Sequence, residues 1–246
     1  MANKSILKGK RNSQGLYEIE LRNKKVKYPS VTTILSLLED KEVDELREKL
    51  DPEVWDYVSR RGADRGSVMH MYLENYAIAL KKGIDKDSAL LYTQKKTPTQ
   101  FPKVDPKFFN LGRDFFYNIY HSDFLEEFTK PVMIEGLMIS PKYKYAGRTD
   151  IWYIDNEGKL VCGDYKTSTK TVGEYQRKLV KYKIQCAAYA NAFYEMYGKK
   201  ADYGAIWIAT PEGCQKYIVH ENEMDVYLNC FLYLVDKYFK EYINKS

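Results

Sequence analysis

Asp150, Asp164 and Lys166 are the residues whose types and spacing could do chemistry. Ile151 to Ile154 and Leu160 to Cys162 are runs of strand formers, and Asp155-Asn156-Glu157-Gly158-Lys159 between them has the composition of a hairpin turn. Folding symmetrically about Glu157 sets Asp150 opposite Asp164, so the two carboxylates share a face, and Lys166 joins them two residues on. Two carboxylates at the open end of a hairpin repel unless a cation lies between them, and a hard divalent metal such as Mg²⁺ is the simplest one. On these three residues alone, a solvated ion pair between Asp150 and Lys166 is the other reading. The Asp-x-Lys spacing is weak by itself: Asp105-Pro106-Lys107 has it too, in a stretch where proline argues against a central strand.

Other elements must bring partners to this hairpin. From Gly66 to Lys82, Met69, Tyr72, Leu73, Tyr76 and Leu80 follow helical spacing, with Gly83 as the stop. His70 sits at the edge of that stripe, either as a satisfied core residue or as an imidazole completing a carboxylate metal site. A strand from Val132 to Ile139 leads into the hairpin and carries Glu135 among apolar neighbours. A buried acid there would support the site, and one at a sheet edge would face water. A helix from Val180 to Tyr197, stopped by Gly198, follows the hairpin and puts Tyr182, Gln185 and Tyr189 on one face. Those three could position a nucleotide or form an ordinary helix–sheet interface.

The rest of the chain reads as structure. Tyr17, Ile19 and Leu21, then Val26 and Tyr28, alternate with polar residues about Asn23 and predict an opening hairpin. Ser30 could cap a short helix from Val31 to Leu38, and Asp51-Pro52 could start another carrying Trp55 and Val58. Residues 84 to 106, with Pro98, Pro102 and Pro106, predict an irregular, substrate-guiding loop. An aromatic helix begins at Asp105-Pro106, strands are predicted at Ala205 to Ala209 and Tyr217 to Val219, and a last helix carries Met224 to Tyr238. The expectation is a single domain over 1–246, with an N-terminal part over 1–60, a core over 61–220 and a C-terminal helix over 221–246.

The net charge of +5 is modest, but six of the basic residues (Lys166, Lys170, Arg177, Lys178, Lys181, Lys183) lie between 165 and 184 against the single acid Glu174. That local excess suits a polyanion or a solvated helix face. Cysteines 162, 186, 214 and 230 are too far apart for a Cys-x-x-Cys zinc site or a disulfide framework. With no apolar run of membrane-spanning length and no leader-like start, the expected location is cytoplasmic.

Arg65-Gly66-x-x-x-His70, Gly147-x-x-Asp150, Asp164-x-Lys166-Thr167 and Gln185-x-x-x-Tyr189, in that order, resemble the RecB-type branch of the PD-(D/E)XK nucleases, particularly its histidine-bearing exonucleases. Pro29-Ser30-Val31-Thr32-Thr33-Ile34-Leu35 resembles a segment such enzymes carry near the N-terminus. Thr149 stands where the family name has proline. The resemblance implies an α/β fold of the restriction-endonuclease type: a central mixed β-sheet flanked by helices, with an N-terminal hairpin and helical extension. It implies a metal-dependent DNA exonuclease leaving 5′-phosphate ends, acting in recombination, repair or replication. Asp150, Asp164 and Lys166 would be catalytic. His70, Asp150, Asp164 and the Tyr165 carbonyl would hold Mg²⁺ or Mn²⁺. Gln185, Tyr189, Thr167, Ser168, Tyr182, Arg65 and Ser30 would serve the substrate, with Glu135 in support.

The cysteine pattern of the iron-sulfur relatives is missing, so no iron-sulfur cluster is expected. DNA, single- or double-stranded, is the expected partner, and a second copy or a recombination or replication protein is a further candidate. A phage enzyme working in its host's cytoplasm would suit the small size. An endonuclease, a non-catalytic binding module on the same fold, and RNA as substrate are the alternatives.

Overall fold

The structure, a computed structural model, describes residues 9–21, 24–38, 48–49, 51–128, 130–169 and 176–242. The turn at Asn23, Lys170, and the side chains of Val58 and Arg177 lie outside that description.

The chain opens with a small antiparallel sheet of β1 (Gly9–Arg11), β2 (Leu16–Leu21) and β3 (Lys24–Pro29). The expected hairpin is present as β2 and β3, with β1 as a third strand that was too short to read. Tyr17 and Ile19 on its inner face pack against Leu137, Ile139 and Ala146 of the main sheet. Ser30, bridged to Ala146, carries the chain across to helix α1 (Val31–Leu35).

Helix α2 (Pro52–Lys81) is capped by Asp51, whose side chain accepts from Glu53 N. The sequence predicts two separate helices here, and the structure runs them together as one of 30 residues. No proline interrupts the span between them, and its mostly exposed residues carry no stripe that would have shown the continuity. Gly83, at φ +81°, ends it.

Residues 86 to 100 correct a second expectation. The predicted irregular loop is largely a helix, α3 (Lys86–Gln100), capped by Asp85 and holding Pro98 in its last turn. Its buried positions are Ala89, Thr93 and Thr97, four apart, so its inward stripe is made of small and hydroxylated side chains and reads as polar. Thr97 also accepts a hydrogen bond from buried Asn75 of α2, at 3.0 Å. Helices α4 (Pro106–Tyr120) and the short α5 (Phe124–Glu127) complete this layer.

The main sheet has the order β4 (Lys130–Ser140), β5 (Tyr145–Ile154), β6 (Leu160–Thr167), β7 (Tyr203–Thr210), β8 (Gly213–His220). Only β6 and β7 pair parallel, so the sheet is mixed, and the crossover between them is α6 (Gln176–Tyr197). Helix α7 (Glu221–Tyr242) packs beside α6. One core lies between the sheet and α1, α6 and α7, where Trp152 stacks on Phe193 at 3.9 Å between ring centroids. The other lies beneath α2 to α5, where Trp207 meets Phe124 edge-on at 5.2 Å. The architecture is therefore the expected mixed sheet flanked by helices on both faces. Among the described residues, no helix is long and apolar enough to cross a membrane.

Candidate active site

Three acids fall in one row across β4, β5 and β6. The β5–β6 ladder runs from Ile154↔Leu160 to Ile151↔Gly163, and one further step sets Asp150 beside Asp164. The β4–β5 ladder has Ile134↔Ile151 and Gly136↔Thr149, which flank Glu135 and Asp150. Strands lie about 4.8 Å apart, so this row concentrates negative charge.

At this row the regular alternation of side chains fails. Residues an even number apart on a strand should share a face. Ile151 nevertheless belongs to the core under α2, and Tyr145, six residues earlier, to the core under α6. The same is true of Ile134 and Met138 on β4. Both strands change phase together, and consecutive residues Ile134 and Glu135, like Asp150 and Ile151, line one pocket with His70, Leu73, Glu74 and Ala77 of α2. Glu135 carries the change in its backbone, with φ +48°, a region L-residues other than Asn and Asp rarely enter.

This geometry brings His70 to the hairpin. Its Nδ1 lies 3.4 Å from Asp150 Oδ1, while Asp150 Oδ2 accepts the backbone N–H of Tyr165 at 2.7 Å, in place of a strand carbonyl. His70, Glu135 and Asp150 each offer a ligand atom within 4.8 Å of the others. One imidazole nitrogen with carboxylate oxygens at that separation fits a divalent cation such as Mg²⁺ or Mn²⁺. Asp164 is 2% exposed and points to the other layer, where Lys166 Nζ stands 2.6 Å from its Oδ2. Lys166 in turn lies over the Tyr182 ring, 5.2 Å from its centroid.

The electrostatics follow from crowding. Burial pushes Asp164 up to about 6 against the pull of Lys166, with Asp150 adding to the rise. Burial, then Asp150, pushes Glu135 up to about 7. Burial also opposes the charge of Asp150, but His70 and Lys166 outweigh it and hold that carboxyl below its ordinary range. The same balance runs the other way for His70 and Lys166: burial lowers both, and the neighbouring aspartates more than restore them, so both end above their usual values. The neighbouring aspartates thus favour the charged form of Lys166, which can offset negative charge in this site.

The remaining predicted residues divide. Thr167 faces α2, where a β-carbon on Gly66 would lie 3.8 Å from its Oγ1, and Ser168 donates its N–H to Ala209 O at 2.9 Å. Arg65 sits over the Phe115 ring at 5.7 Å. The Tyr165 ring is buried, edge-on to Phe124 and to His70. Gln185 is buried and donates to Tyr189 Oη at 3.1 Å. Tyr189 is only 3% exposed and its ring covers Gly147, the arrangement of a helix–sheet interface. Ser30, 2% exposed, is spent on its own helix: its Oγ accepts from Thr33 N at 3.0 Å and bonds the Thr32 and Thr33 hydroxyls. That is the expected helix cap.

Sequence reasoning missed Arg148, whose Nη1 donates to Glu135 O at 2.6 Å. Glu74, one turn from His70 by helical spacing, is raised by burial above its ordinary pKa.

A family model described as the PD-(D/E)XK nuclease superfamily matches residues 41–235. Two solved structures show weaker likeness. The protein SSO0001 is 20% identical with TM-score 0.28, over 42% of this chain and 49% of that one. A Eubacterium rectale protein provisionally named an exonuclease is 13% identical with TM-score 0.41, over 68% of this chain and 64% of that one. The chain thus spans about half the length of the first and just under two thirds of the second, and neither likeness bears on activity. No curated protein matches the chain.

Proposed function

The chain belongs to the PD-(D/E)XK nuclease superfamily, and from that premise we propose that it is a metal-dependent DNA exonuclease of the RecB-type branch, leaving 5′-phosphate ends. The observation that carries the reading is the approach of His70, from a helix 80 residues upstream in the chain, to within 3.4 Å of Asp150 beside the Asp164–Lys166 pair. A salt bridge on a solvated hairpin would have no such third party.

Mg²⁺ or Mn²⁺ would be held by His70, Asp150 and Glu135, with Asp164 and the Tyr165 carbonyl beside them. A cation held there would supply Lewis acidity toward the scissile phosphate and toward the attacking water. Lys166, fixed between Asp164 and the Tyr182 ring, offsets charge that builds on the phosphate as the water's oxygen attacks. Burial of that ammonium makes the contribution larger than an exposed lysine could give. Thr167, Ser168, Arg65 and the lysines of α6 hold flanking phosphates. Tyr189, packed against Gly147 and hydrogen-bonded by Gln185, keeps the strand that carries Asp150 in place. A role in recombination, repair or replication, in a bacterial or phage-infected cytoplasm, is in keeping with this chemistry.

The test is cleavage of end-labelled linear single- and double-stranded DNA beside a covalently closed circle, with Mg²⁺, with EDTA, and with Lys166→Ala. Metal-dependent loss of linear DNA alone, down by about 10³-fold in the variant, is the expected result. A cut circle makes the protein an endonuclease, and no cleavage with Mg²⁺, or with Mn²⁺ in its place, makes it a binding module.

A further inference from the structure

Arg148 has no part in the chemistry just described, yet it is joined to it through the backbone. Its side chain is exposed, and its Nη1 donates to the carbonyl of Glu135 at 2.6 Å. That carbonyl belongs to the residue at φ +48°, where β4 changes phase. An αL conformation of this kind persists only when its surroundings hold it. The flanking ladder pairs, Ile134↔Ile151 and Gly136↔Thr149, fix the strand on either side, and Arg148 fixes the peptide between them.

The consequence lies on the opposite side of that peptide. With regular alternation, Glu135 would point to the α6 layer, away from Ile134. With the flip, its carboxylate enters the pocket under α2 and comes within ligand distance of His70 and Asp150. We propose that Arg148 is a positioning residue for the metal site, which holds the turned backbone of Glu135 so that its carboxylate joins His70 and Asp150 as a ligand. This rests on the metal-dependent reading above. Gly136 fits the same arrangement: a β-carbon there would come within 2.0 Å of Met133 Sδ and 2.6 Å of its Cγ, so a larger residue after the flip would have to displace the Met133 side chain.

The alternative role for an exposed arginine beside a nuclease site is a phosphate contact. Calorimetric titration of the metal-free protein with Mn²⁺, without DNA, separates the two. Arg148→Met should weaken Mn²⁺ about tenfold, or about 1.4 kcal/mol. Glu135→Gln should weaken it similarly, and the double variant should lose little more than either alone, since both remove one ligand. Arg148→Lys, which keeps one donor, should recover part of the loss. Wild-type Mn²⁺ affinity in Arg148→Met, with weaker and less salt-dependent DNA binding, would overturn the proposal in favour of a phosphate contact. Additive losses in the double variant would overturn it too. Failure of the wild-type protein to bind Mn²⁺ at all would instead remove the metal-dependent reading on which it rests.

Discussion

Glu135→Gln should stabilise the metal-free protein at alkaline pH, and by an amount set by the site's own crowding. Burial and the nearby Asp150 push the Glu135 carboxyl from an ordinary 4.5 to about 7, against the pull of His70 and Arg148. The folded state therefore holds a proton that the unfolded chain releases between those two values, and stability falls as pH rises through that window. Above it the full penalty is present; at 1.36 kcal/mol per tenfold change it is roughly 3 kcal/mol, an upper bound once water and small movements relieve the charge. Glutamine has nearly the same shape and no charge. The variant should match the wild type near pH 4, gain steadily to pH 7 and hold a gain of about 1–3 kcal/mol at pH 8.5. Urea unfolding in EDTA across that range measures it directly. Saturating Mn²⁺ should reverse the order, because a ligand that binds only the folded state stabilises whichever protein binds it better. A variant no more stable than wild type at pH 8.5, or equally more stable at pH 4, would refute the idea that Glu135 is a crowded, half-buried acid.

Two further predictions concern the frame around the site. Gly147→Ala would place a methyl group 2.5 Å from Tyr189 Cε1 and 3.1 Å from Val31 Cγ2. That overpacking should cost about 1–3 kcal/mol in urea unfolding, and Tyr189→Leu in the same chain should return at least half of it. At the hairpin turn, Asp155 Oδ1 accepts from Glu157 N and Lys159 N, and its Oδ2 accepts from Tyr203 Oη. Burial opposes its charge, but these bonds prevail and lower its pKa, so its contribution is present above the ordinary carboxylate value and is lost as pH falls through the folded one. Asp155→Ala should lower the melting temperature by about 3–10 °C at pH 7 and by less at pH 3.

How much of this was legible depends on which physical signal carried each part. The β5–β6 hairpin is centred where its turn residues put it, because Asp155 and Gly158 are needed there: the one bonds the turn's N–H groups and the other sits at φ +82°. Capping residues marked α1, α2 and α4 correctly, since Ser30, Asp51 and Asp105 each bond an N–H of the first turn. Helix α3 was illegible for a physical reason. Its inward face is Ala89, Thr93 and Thr97, and a method that looks for apolar periodicity cannot see a stripe that packs by being small. Tyr189 shows what spacing leaves open. Helical spacing put it with Tyr182 and Gln185, but spacing does not say which ring lies over a glycine and which over a lysine.

The three-acid row was half readable, and the missing half is the informative one. The register that sets Asp150 beside Asp164 follows from the turn, a local property, but the expected shared face does not hold, because Asp150 turns toward α2 while Asp164 meets Lys166 on the other layer. Glu135 does not follow, because alternation carried along β4 from Ile134 sends it to the wrong layer. Only a residue at positive φ, paired with a matching change on β5, lets two neighbouring side chains on each strand address α2. The cost of that change is of the order of 1–3 kcal/mol at Glu135 alone. A sequence that keeps an acid, a left-handed backbone and a glycine together in mid-strand, with an arginine across the ladder to hold them, is specifying a charge position. The local rule fails at the row where His70 meets the sheet.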